Sequence, residues 1–174
     1  MRMLLLLLVA LLPLSSGAAW TDSNGKPTAD TESMRSAGDF GAQLVLTPDE
    51  KQFRKAWSGT KGTPTLRATN SARAGGAVAA MIVFHGCVAK SGGACDVSVD
   101  FKLQGPDGKQ APAGGGPVWT GEPAPAGMLR LGQASMTVRF DATDRPGDYR
   151  VLARVTDKVA GRTLDLAARL ALGR

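Results

Sequence analysis

The residues able to do chemistry are few enough to name. The chain holds one histidine, His85, and two cysteines, Cys87 and Cys95. A four-ligand His/Cys metal cluster is therefore excluded. Any Ser-His-Asp or Cys-His nucleophile system would depend wholly on His85. No set of acid, base and nucleophile stands out, so the residues point away from an enzyme and call for no cofactor. Gly114-Gly115-Gly116 runs into Pro117 rather than a helix, so it is no phosphate cradle.

Cys87 and Cys95 enclose Val88-Ala89-Lys90-Ser91-Gly92-Gly93-Ala94. A redox pair would favour C-x-x-C spacing. In an oxidising compartment, two cysteines this far apart read as a structural disulfide worth about 2–3 kcal/mol in the chain-entropy model. Once oxidised, Cys87 offers no thiolate to His85. His85 is then a strand-end histidine, or a lone metal ligand or proton carrier. With Met81, Met128 and Met136 it would make a soft copper(I) site of thioether and imidazole. Against this, Met81 and Met136 stand in strand-like apolar stretches, where methionine fills core gaps.

Binding residues are of two kinds. Arg139, Arg150, Arg154 and Arg169 take outward positions on expected strands and would form a basic face for an anionic polymer or acidic partner. Solvated cross-strand pairs such as Arg154 with Asp165 are the plainer reading of the same residues. Trp119 stands in a Pro/Gly-rich stretch, where a large aromatic either anchors a partner or folds back over the end of the domain.

These residues must be positioned by a chain of 174 residues with a formal net charge of +6. That length suits one domain with a tail. Met1-Arg2-Met3 gives a positive start, Leu4 to Leu12 is unbroken and apolar, and Ser15 to Ala19 are small. This is the pattern of a signal peptide, with cleavage after Ala18 or Ala19. The apolar run is shorter than the roughly 20 residues that span a bilayer. No later stretch is long and apolar enough, so no membrane span is expected after cleavage. A bacterial periplasm, or secretion, follows as the expected location. Export and the lack of aromatics interleaved with basic residues argue against nucleic acid.

The expected organisation is a signal peptide at 1–19, a flexible polar arm at 20–38 and one domain at 39–174. Gln43–Leu46 reads as a strand, and Thr47-Pro48-Asp49-Glu50 starts a short helix over 48–57. Val78–Phe84 is a continuously apolar strand. Val97, Val99, Phe101 and Leu103 alternate with polar residues. Residues 111–127 read as a long loop with a short strand at 117–120. Strand pieces follow at 128–131 and 136–140. Tyr149–Val155 and Leu164–Leu172 form a hairpin, whose turn at 159–160 or at 160–161 is left open. The sum is all-β: an antiparallel β-sandwich with one short helix.

Asp144-Arg145-Pro146-Gly147-Asp148-Tyr149-Arg150-Val151 resembles a corner shared by immunoglobulin-like and macroglobulin-like domains. The resemblance implies that the Tyr149 hydroxyl returns to the backbone. Gln43–Asp49 with Phe53 and Trp57, followed by Ala80–Cys87, Cys95 and the strand to Gly108, is similar to a group of uncharacterised proteobacterial periplasmic proteins. That likeness covers residues 40–172. It implies an exported immunoglobulin-like domain and carries over no catalytic residue. The expected function is a non-catalytic exported module binding a periplasmic or envelope protein, or an anionic surface polymer. The alternative is a periplasmic small-ligand or copper carrier using His85 and Met81.

Overall fold

The computed structural model describes residues 20–22, 24–59 and 66–173. The expected signal peptide lies outside the described residues. The alternating stretches all become strands. In chain order these are β1 (Met34–Ala37), β2 (Phe40–Thr47), β3 (Ser71–Ala72), β4 (Ala77–His85), β5 (Val97–Gln104), β6 (Gln110–Trp119), β7 (Arg130–Arg139), β8 (Gly147–Asp157) and β9 (Arg162–Leu172). One helix, α1 (Glu50–Gly59), follows β2.

Two sheets form, ordered β1-β2-β4-β7 and β3-β9-β8-β5-β6. Every pairing is antiparallel except the two-residue β3, which runs parallel to β9. With β2, β4 and β7 as strands A, B and E, and β5, β8 and β9 as C, F and G, this is the immunoglobulin-like arrangement; β6 adds a C′ strand. Phe40, Phe84, Phe101, Val118, Val151, Val155 and Leu170 fill the space between the sheets. The Tyr149 hydroxyl donates to the Arg145 carbonyl at 2.9 Å, which closes the tyrosine corner at the start of β8.

β4 explains its own sequence. Its even-numbered residues face the sandwich core. Its odd-numbered residues Ala79 and Met81 face outward, and α1 covers them with Phe53 and Trp57. A strand covered on both sides reads as an unbroken apolar run. Asp49 caps the helix, its carboxylate accepting the Gln52 N–H at 2.9 Å. Arg54 ties α1 to β7 by donating to the carbonyls of Gly132 and Gln133.

Three expectations change and one left open is settled. Residues 110–119 are a strand, not a loop. Edge position removes the need for the N–H groups that Pro112 and Pro117 lack. Two register shifts against β5 fall at Ala113 and Val118, while Gly114, Gly115 and Gly116 stay in register with Phe101, Asp100 and Val99. The stretches at 128–131 and 136–140 merge into β7, which carries an irregularity opposite Met81–Val83. Order begins before Phe40: Met34–Ala37 pair with β2, and Trp20 is buried. Glu32 crosses to the other sheet, its carbonyl accepting the Ala167 N–H at 2.7 Å. The final hairpin turns about 159–160, setting Arg154 opposite Asp165.

Candidate functional site

Cys87 and Cys95 form a disulfide, with Cα atoms 6.0 Å apart. Both are buried in the core cluster, at the end of the sandwich where β4 finishes and β5 begins. Antiparallel pairing brings three more features to this end: the β6–β7 loop at 120–129, the β8–β9 hairpin tip and the β1–β2 turn.

Their connections to one another are specific. Asp157 is fully buried at the end of β8. One carboxylate oxygen accepts the N–H groups of Val159 and Ala160, at 3.0 and 3.2 Å. The other accepts the Val88 N–H at 2.9 Å. A single side chain thus shapes the hairpin tip and anchors the disulfide loop to it. The Lys158 N–H donates to the Asp96 carbonyl at 2.9 Å, and its ammonium lies 3.6 Å from the Asp96 carboxylate. The Cys95 N–H donates to the Gly121 carbonyl at 2.8 Å, tying in the β6–β7 loop.

Trp119 ends β6 and is half-buried, packed against the core. Its indole N–H donates to the Glu122 carbonyl at 2.8 Å. One side of its environment is Phe84, at 6.4 Å between ring centroids. The Arg130 guanidinium sits over the ring, 5.0 Å from its centroid. That places a cation on the negative face of an indole. Arg130 enters no ion pair among the described residues, and its Nε is buried without a hydrogen-bond partner. Two large apolar side chains lie exposed in the same loops: Val88 at 41% and Met128 at 58%.

Sequence reasoning named Trp119 and missed Arg130. A single arginine beside a Pro/Gly-rich stretch carries no signal of its own. What distinguishes it is its stacking and the lack of an acid beside it among the described residues, and both appear only in three dimensions.

The expected arginine face resolves differently. Arg150, Arg154 and Arg169 do share the outer face of the five-stranded sheet, while Arg139 lies on the other sheet. Each of the three meets an acid. Arg150 pairs with Glu32 at 2.9 Å, Arg154 with Asp165 at 2.8 Å and Arg169 with Asp148 at 2.9 Å. The bond from Arg154 holds the Asp165 carboxyl below its ordinary range. A groove of about 550 Å³ crosses this face beside Leu152 and Pro112, lined by Arg154, Asp165, Asp100 and Lys102. Charges there alternate rather than accumulate, so the attraction for a polyanion largely cancels.

The copper residues do not converge. Met81 is buried beneath α1, Met136 points into the core from the opposite face of the same sheet, and Met128 is exposed in the β6–β7 loop. His85 lies four residues beyond Met81, roughly 13 Å along a strand. Its ring is packed edge-on against Trp20, with centroids 4.8 Å apart. Among the described residues no group of three or more His, Cys, Asp and Glu could hold a metal ion. No described helix is long and apolar enough to cross a membrane.

No protein-family model matches the chain, and no characterised protein matches it in sequence. Among solved structures, it is similar to a family 123 glycoside hydrolase from Clostridium perfringens. The identity is 10%, the TM-score 0.43, and the match covers 76% of this chain and 27% of that one. It is also similar to a beta-glucosidase from Listeria innocua, at 8% identity and a TM-score of 0.40, covering 88% of this chain and 19% of that one. The chain thus spans about a quarter or less of these two structures.

Proposed function

We propose that this protein is an exported, non-catalytic immunoglobulin-like module that docks a periplasmic or envelope protein through its disulfide end. The observation that carries the reading is the combination found there. Loops held by a disulfide, the Asp157 bonds and the Cys95–Gly121 bond present exposed Val88 and Met128 at the same end of the sandwich as Arg130, which stacks on Trp119 and enters no ion pair among the described residues. Loops on a rigid sandwich commonly carry binding, and loops already fixed in place lose little entropy when they dock. Apolar side chains beside a stacked arginine suit a partner that offers an acidic group flanked by apolar ones.

The leader-like first 19 residues and the disulfide support export, because such a bond persists in oxidising compartments. The paired arginines of the five-stranded sheet favour the loop end over the sheet face as the docking surface. The test is capture from a native envelope extract with the tagged protein and its Met128→Asp, Arg130→Glu and Arg154→Glu variants. The reading expects a discrete protein that survives high salt and Arg154→Glu and disappears with either of the other two. A partner lost only with Arg154→Glu would move the site to the sheet face.

A further inference from the structure

We infer that Trp20 and His85 form an acid-released clasp, which holds the N-terminal segment shut at neutral pH and frees it when His85 takes up a proton. This is independent of the docking reading.

The clasp is built from several contacts. Trp20 is 7% exposed, although residues 21, 22 and 24–27 around it are polar or small and exposed. Its indole N–H donates to the Arg35 carbonyl at 3.1 Å. Its own carbonyl accepts the Thr28 N–H at 2.9 Å, and Thr21 bridges to Pro27. Asp22 closes the tip by accepting the N–H groups of Asn24 and Lys26. The ring packs edge-on against His85. Gly41, opposite His85 in the β2–β4 register, makes room for both rings: a Cβ there would overlap His85 Nε2 and come within 2.9 Å of the indole nitrogen.

The histidine has no answer to a second proton. Nε2 is buried and has no hydrogen-bond partner among the described residues. The Trp20 indole packed against it is a donor only, so it offers no acceptor to a proton on Nε2. A neutral imidazole tolerates this, but an imidazolium buried with an unsatisfied N–H does not. Burial accordingly holds His85 below its ordinary value of 6.5, against the opposing pull of Asp39 in the β1–β2 turn. From the other packed elements, β2 offers Gly41 and the β4 exit offers Gly86 and the oxidised Cys87, all uncharged. β1 offers the Arg35 carbonyl, while the Arg35 guanidinium is felt by Asp165 on the other sheet. Asp22 is occupied by its turn, and leader removal after Ala18 or Ala19 adds an α-ammonium at or beside Trp20, charged throughout pH 5–6.5, which opposes the imidazolium as burial does.

The sign follows. The open form, with His85 in water, binds the proton more readily than the closed form. The closed state is therefore at full strength above about pH 6.5 and weakens as pH falls below it, by up to tenfold in the opening equilibrium per pH unit. Opening uncovers Gly41 and His85, two residues before Cys87 and the disulfide loop.

The test uses isotope-labelled protein expressed from the full sequence. His85 is the only histidine, so its ring signals are unambiguous. Two results are expected. Trp20→Ala raises the His85 titration midpoint toward 6.5, because the coupling is reciprocal. Protection of the Thr28 amide, corrected for the intrinsic pH dependence of exchange, falls between pH 6.5 and 5 in the wild type and stays flat in His85→Gln. An unchanged His85 midpoint in Trp20→Ala overturns the inference. So does pH-independent Thr28 protection in the wild type. If His85→Gln does not fold, the Trp20→Ala titration decides alone.

Discussion

Asp157 is the side chain on which the disulfide end turns, and its removal should be costly in a way that can be apportioned. Its carboxylate is fully buried and accepts three backbone N–H groups, from Val88, Val159 and Ala160. A hydrogen bond to a charged group contributes about 1.5–3 kcal/mol, and a buried donor left alone costs about 1–3 kcal/mol. Asp157→Ala orphans all three donors. Val88 is 41% exposed, so water takes over part of that N–H. The expected loss is about 3–5 kcal/mol, less than three full bonds would give. Asp157→Asn divides the effect. Its one carbonyl oxygen satisfies two donors by facing Val159 and Ala160, which turns the amide NH₂ toward the Val88 N–H. The loss should be about 2 kcal/mol, confined to the disulfide-loop side. Urea denaturation gives the two totals. Amide exchange gives the division: Val88 loses protection in both variants, Val159 and Ala160 only in Asp157→Ala. An Asp157→Ala protein within 1 kcal/mol of wild type would refute the reasoning.

Other outcomes follow from single features. Tyr149→Phe removes the hydroxyl that donates to Arg145 and should cost about 1 kcal/mol in urea denaturation. Replacing both Cys87 and Cys95 with Ala should lower stability by about 2–3 kcal/mol; the native protein should show no free thiol and reduction should expose two. Partial burial pushes Glu50 up, but the bonds from Ser135 and Arg54 outweigh it and hold the carboxyl below its ordinary 4.5. Its contribution is full above that value and is lost as pH falls through the lowered one. Glu50→Gln should flatten the acid limb of the stability curve, read as the urea midpoint between about pH 5 and 3.

How much of this was legible depended on whether the signal was local. β5 alternates cleanly because one face is core and the other is solvent, so four apolar residues declare it. The tyrosine corner was readable for a similar reason: its residues are neighbours in sequence. β6 was hidden by its composition. Prolines and glycines usually mark loops, and only pairing with β5 on an edge makes them a strand. The hairpin register stayed open because both turns kept the apolar faces together. Asp157 settles it by accepting from Val159 and Ala160, a role no pattern of hydrophobicity encodes. Trp20 is a lone aromatic in a polar stretch, and its partners, Arg35 and His85, are 15 and 65 residues away. The arginine face was legible as a face and misleading as a charge, since Glu32 comes from before β1 and Asp148 and Asp165 come from the strands themselves.

The most direct measurement on the central claim is the paired capture from envelope extract at high salt. The account predicts one discrete protein retained by the wild type and by Arg154→Glu, and lost with Met128→Asp and with Arg130→Glu. Retention of that protein by both loop-end variants, or no retained protein from the wild type, would contradict it.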